Sequence, residues 1–219
     1  MMPFGNSSLK SLFAQAKQGQ PEALNQLGYL YFHGREGLSQ NYNKAASYYL
    51  SAAQAGFLHA QFNCGVIFEK GFGVLQSYEQ AVHWYTQATN HNHSLAHYNL
   101  SLLYRDGKGV AQNMAMAFFH CFKAAEENIG QAQNNLGWMY LHGLGTEKDE
   151  NKAIICFKEA AEKNIVEAIF HLGLCFEKGY GVLIDKEIAS KLYQAAANAG
   201  LKIAQTKLAQ CYGSEKLKD

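Results

Sequence analysis

Alanine returns along this chain at a fixed interval, and that interval restricts the fold more than any other feature. Ala60, Ala96, Ala132, Ala168 and Ala204 are each 36 residues apart, and Ala23 stands 37 before Ala60. The segments they open read ALNQLGYLYFHG, AQFNCGVIFEKG, AHYNLSLLYRDG, AQNNLGWMYLHG and AIFHLGLCFEKG, followed by a shortened AQTKLAQCYG. A period of this length means a stack of supersecondary units, none of which can bury its apolar face alone.

Each unit reads as a helical hairpin. In the first segment Ala132, Leu136, Met139 and Tyr140 fall at i, i+4, i+7 and i+8, the spacing of one helix face. Gly34, Gly71, Gly107, Gly143 and Gly179 follow the last apolar residue, where a left-handed cap favours glycine. A second glycine comes two residues later at Gly73, Gly109, Gly145 and Gly181, and three later at Gly37. The second helices are NKAASYYLSAAQAG, EQAVHWYTQATNH, AMAFFHCFKAAEEN, NKAIICFKEAAEKN and EIASKLYQAAANAG. Their small residues fall in two columns, Ala45 to Ala189 and Ala52 to Ala196.

Gly28, Gly65, Gly137 and Gly173 lie inside the first helices, where glycine costs roughly 1 kcal/mol against alanine. That cost predicts a packing role, with a bulky side chain of the adjacent helix entering the gap. Tyr31, Phe68, Tyr104, Tyr140, Phe176 and Tyr212 are expected to fill complementary space.

The pattern A-x-x-x-L-G-x-x-Y, a G-x-G turn and K-A-x-x-W-Y-x-x-A-A resembles the Sel1-like repeat, a relative of the tetratricopeptide repeat. The resemblance runs from Glu22 to about Tyr212, with Ser101 and Ala209 in place of glycine and Cys121 in place of the second-helix aromatic. It implies an all-α, right-handed superhelical solenoid of about five helical hairpins, with a concave face lined by the first helices. The repeats are placed at approximately 22–58, 59–94, 95–130, 131–166 and 167–202. A capping helix is expected within residues 1–21, and a capping helix with a polar tail over 204–219.

Charge and composition narrow the function. Nineteen basic against 18 acidic residues leave a formal charge of +1, so no general attraction to nucleic acid or anionic membrane is expected. Residues 1–20 hold no apolar run of the length a secretory signal needs, and no segment approaches a membrane span. A cytoplasmic location is expected, or export without a cleavable signal. Cys64, Cys121, Cys156, Cys175 and Cys211 form no CxxC pair and read as buried thiols.

Setting aside the core columns leaves one apolar face at i, i+4 and i+7 of each first helix. It carries Asn25, Tyr29 and Phe32; Phe62, Val66 and Glu69; Tyr98, Leu102 and Arg105; Asn134, Trp138 and Leu141; and Phe170, Leu174 and Glu177. Aromatic anchors with a polar rim suit a protein or peptide partner, and Tyr29, Phe32, Trp138 and Leu141 are the foremost candidates. Phe62, Tyr98 and Phe170 are equally open to burial against one another. His91, His93 and His97 read as solvated loop histidines, with no cysteine or carboxylate beside them in sequence to complete a metal site.

No nucleophile elbow, phosphate loop or H-E-x-x-H helix occurs. The expected protein is therefore a non-catalytic adaptor that needs no cofactor, metal or small-molecule substrate, with signalling or host interaction in bacteria as the setting the resemblance implies. The alternative is an enzyme like the cysteine-rich relatives that bind or hydrolyse β-lactams. Those carry a regular disulfide in each repeat and a signal peptide.

Overall fold

The computed structural model describes residues 6–213, with side chains from Leu9 to Ala209. The described residues form α-helices joined by turns, with no strand among them. The chain divides into two compact units, Met1–Asn113 and Met114–Asp219. The first holds α1 (Asn6–Lys17), α2 (Pro21–His33), α3 (Tyr42–Gln54), α4 (Leu58–Lys70), α5 (Tyr78–Thr89) and α6 (Ser94–Asp106). The second holds α7 (Met114–Glu126), α8 (Gly130–His142), α9 (Glu150–Glu162), α10 (Val166–Lys178), α11 (Lys186–Asn198) and α12 (Lys202–Gly213). Within each unit every helix packs on the one before it, as an all-α repeat solenoid requires.

The hairpin boundaries follow from local chemistry. The caps Gly34, Gly71, Gly107, Gly143 and Gly179 all adopt the left-handed conformation. After the turn, Asn41, Ser77, Asp149 and Asp185 accept hydrogen bonds from Lys44 N, Gln80 N, Lys152 N and Ile188 N, closing the starts of α3, α5, α9 and α11. Each such N-cap contributes about 1 kcal/mol. The backbone N–H groups of these same residues donate to Tyr31 O, Phe68 O, Tyr140 O and Phe176 O at 2.8–3.0 Å. The turn is thus bonded back onto the helix it leaves.

The alanine columns are fully buried, with Ala45, Ala52, Ala60, Ala132, Ala153 and Ala168 among the residues at 0% exposure. Their small side chains let neighbouring helices close until an aromatic ring fills the remaining gap. Over the helix glycines that ring comes from the second helix of the same repeat. Tyr49 covers Gly28, Tyr85 covers Gly65, Phe157 covers Gly137 and Tyr193 covers Gly173. Tyr31 and Tyr140 pack elsewhere, stacked on Tyr48 and edge-on to Phe118.

Consecutive repeats also meet at the second turn glycine. A Cβ on Gly73 or Gly109 would overlap the backbone at Tyr42 or Tyr78, and one on Gly145 or Gly181 the backbone at Met114 or Glu150. Each contact reaches the start of the second helix of the preceding repeat. At the ends, α1 places Leu12 and Ala16 on Ala23, Leu27 and Leu30, while α12 buries Ala204 and Leu208 beside Tyr193 and Ala196.

Candidate functional site

The fifteen residues of the first-helix face do not share one environment. In the first unit, Asn25 accepts a 3.0 Å hydrogen bond from Asn63 Nδ2, tying α2 to α4. Tyr29 is half-buried over the α1 cluster, with the His33 ring at 4.4 Å and the Arg35 guanidinium 5.4 Å above its centroid. Phe32 turns instead into an aromatic corner with Tyr42 and Phe72, at 5.1 and 5.4 Å. Phe62 and Val66 pack on the cluster of Tyr85, Ala96 and Leu100. Tyr98 and Leu102 are half-buried, and Arg105 is exposed and pairs with Asp106 at 2.7 Å.

Two of the glutamates are committed internally. Tyr85 Oη donates to Glu69 at 2.8 Å and Tyr193 Oη donates to Glu177 at 2.6 Å. Burial works against the ionised form of Glu177, but the Tyr193 phenol and the Lys207 ammonium hold its carboxyl below the usual range. Each pair joins the end of a first helix to the second helix of its own repeat. These carboxylates act first as structural acceptors.

In the second unit three expected face residues are buried. Leu141 is 5% exposed, Phe170 6% and Asn134 8%, so none offers an open side chain to a partner. Phe170 is held by Tyr193 at 5.3 Å, and Asn134 is taken by His171 Nδ1 at 2.8 Å. Leu174 is half-buried against the cluster of Tyr193 and Ala196. Trp138 alone of the group remains well exposed, at 38%. His142 lies 4.0 Å from its ring and His171 5.0 Å, giving the indole a firm shelf of two imidazoles.

The histidines His91, His93 and His97 are not a solvated set. His91 is exposed, but His93 caps α6 through Nδ1 and stacks on Phe62 at 4.5 Å, and His97 is buried at 6%. Burial, then the neighbouring His59, lowers the pKa of His93. Among the described residues no three His, Cys, Asp or Glu side chains are placed to hold a metal ion. The sequence reading missed these roles because chain position shows a loop, not the ring packed behind it.

Cys64, Cys121, Cys156 and Cys175 are buried thiols, and Cys121 donates to Ala132 O at 3.3 Å; the Cys211 side chain lies outside the described residues. Burial pushes Cys156 up to about 12 and Cys175 up to about 11, and raises Cys64 as well. Such thiols are poor nucleophiles at neutral pH. Among the described residues no helix is long and apolar enough to cross a membrane.

Comparison with known proteins places this geometry. A search of curated proteins gave no match. A Sel1 repeat protein from Oxalobacter formigenes is 33% identical, with a TM-score of 0.85 over 97% of this chain and 84% of its own. The c5321 protein, a protective antigen present in uropathogenic Escherichia coli strains, is 31% identical with a TM-score of 0.86 over 93% of this chain. This chain spans only 44% of that antigen's length. A putative Sel1 repeat protein from Klebsiella pneumoniae, 20% identical with a TM-score of 0.53, covers 91% of this chain and 97% of its own, and shares the fold. The Sel1 repeat profile matches at residues 21–57, 58–93, 94–129, 130–165 and 166–201, and the chain belongs to the Sel1 repeat family.

Proposed function

We propose that this chain is a non-catalytic scaffold that binds a protein or peptide on the first-helix face, with Trp138 as an anchor. The observation that carries the reading is the exposed indole, 38% accessible and braced by His142 and His171. A rigid aromatic whose orientation is already set contributes more to binding than one that must be ordered on contact. Tyr29, with Arg35 above its ring, offers a second anchor on the first unit. Sel1 repeats generally mediate protein interactions, and the raised pKa values of the thiols speak against cysteine catalysis. The bacterial relatives support a setting in bacterial signalling or host interaction.

A photo-crosslinking amino acid placed at the exposed His142, beside Trp138, tests this directly, with the exposed Ser47 of α3 as the control position. The expected result is a discrete adduct from position 142, reduced when Trp138→Ala is added and absent from position 47. Equal labelling from both positions would remove the first-helix face from consideration.

A further inference from the structure

A recess of about 310 Å³ opens in the second unit between α7, α8 and α9, away from Trp138. Phe122, Leu136, Tyr140 and Cys156 form its walls, with Ile155 at the lip and Glu159 at the rim. Ile155 is 53% exposed, an aliphatic side chain left in water beside an apolar hollow. The volume is in the range that holds a small ring system.

The repeat explains why the hollow exists and what fits it. Position 156 corresponds, two repeats on, to Trp84. In the first unit Trp84 packs on the α3–α4 cluster, of which Ala53 and Cys64 are members and which Leu50 and Phe68 also flank. The same register in the second unit gives Phe122, Ala125, Leu136 and Tyr140, all of which line the recess. The equivalent register thus carries an indole packed on its cluster in the first unit and a cysteine beside an open recess in the second.

Charge defines the surroundings of the ring. Trp84 Nε1 is buried with no hydrogen-bond partner, whereas the open recess carries the Glu159 carboxylate where the first unit has Gln87. Glu126 and Lys152 also line the recess, but they are paired with Lys123 and Asp149. Glu159 accepts a 2.8 Å hydrogen bond from the Gln133 amide, whose Oε1 is in turn held by the Lys163 ammonium, and among the described residues no ion pair forms to the Glu159 carboxylate itself. An aromatic ring bearing an N–H, with a cation beside it, complements this arrangement. We infer that the Cys156 recess is a second binding site, which takes a tryptophan side chain flanked by a basic residue in a partner polypeptide.

The test uses the full chain and a fluorescein-labelled, blocked peptide Ser-Lys-Trp-Lys-Ser, with Ser-Lys-Ala-Lys-Ser as its counterpart, read by anisotropy. Saturable binding of the tryptophan peptide is expected, weakened about tenfold or more by the alanine exchange. Cys156→Trp, which supplies the missing indole from within, should abolish the signal. Ile155→Lys, at an exposed position that does not threaten folding, should weaken it through the lip charge. Trp138→Ala should leave it unchanged, so that failure here is separable from failure of the first-helix face. Equal binding by wild type and both recess variants, or no binding by wild type, would overturn the site. Binding of free indole without binding of the peptide would overturn the polypeptide assignment.

Discussion

The ring of Phe157 occupies the space that a side chain on Gly137 would need, because a Cβ there would stand 2.7 Å from Phe157 Cε1. Helix propensity alone would make Gly137→Ala stabilising by about 1 kcal/mol. The overlap acts in the other direction, and forcing extra volume into a packed core costs about 1–3 kcal/mol. Phe157 is at 0% exposure and Ala153 O also lies close, so the ring has little room to withdraw. Gly137→Ala is therefore expected to lower the urea midpoint. Adding Phe157→Leu should recover part of the loss, which a double-mutant cycle would measure as coupling between the two positions. A raised midpoint for Gly137→Ala would show that propensity wins and that the ring moves freely.

A second comparison separates backbone conformation from contact between repeats. Gly37 and Gly145 both hold positive φ, at 81° and 72°. Alanine at either pays about 1–2 kcal/mol for the left-handed conformation. Nothing lies within 4 Å of a Cβ on Gly37, whereas a Cβ on Gly145 would overlap Met114 O. Gly145→Ala should be clearly the more destabilising of the two in thermal unfolding. Equal losses would mean that strain in φ explains both and that the contact between repeats yields easily.

Much of this architecture was legible from the alanine and glycine columns, since a repeated residue type in a repeated environment reports one constraint several times over. The N-caps Asn41, Ser77, Asp149 and Asp185 were equally readable, four residues before the alanine column, but a small polar residue after a turn is easily passed over as loop. The face residues were less accessible to sequence reasoning. Spacing at i, i+4 and i+7 places Asn134, Trp138 and Leu141 on one side of α8, but exposure depends on which neighbour reaches across. His171, 37 residues on, takes Asn134. In the same way the hydroxyls of Tyr85 and Tyr193 claim Glu69 and Glu177. Periodicity identifies a face, and only the neighbouring helices decide how much of it remains open.

The imidazole of His171 makes part of that face sensitive to acid. Burial depresses its pKa to about 4 from the usual 6.5, with Glu167 opposing and His142 reinforcing the shift. The unfolded chain takes up a proton near pH 6.5, which the folded chain refuses until about pH 4. The stability associated with the neutral ring is thus fully present above pH 6.5 and is lost as pH falls through that window, by up to about 3 kcal/mol. The His171 ring lies, centroid to centroid, 5.0 Å from Trp138, 5.0 Å from Phe157 and 5.9 Å from Phe170, the aromatic surroundings that bury it. Urea unfolding between pH 7 and about pH 4.5 should show the decline. His171→Gln, which can still donate to Asn134, should flatten it. A histidine C–H resonance titrating near pH 4 in the folded protein would identify the group, and a midpoint near 6.5 would place the acid sensitivity elsewhere.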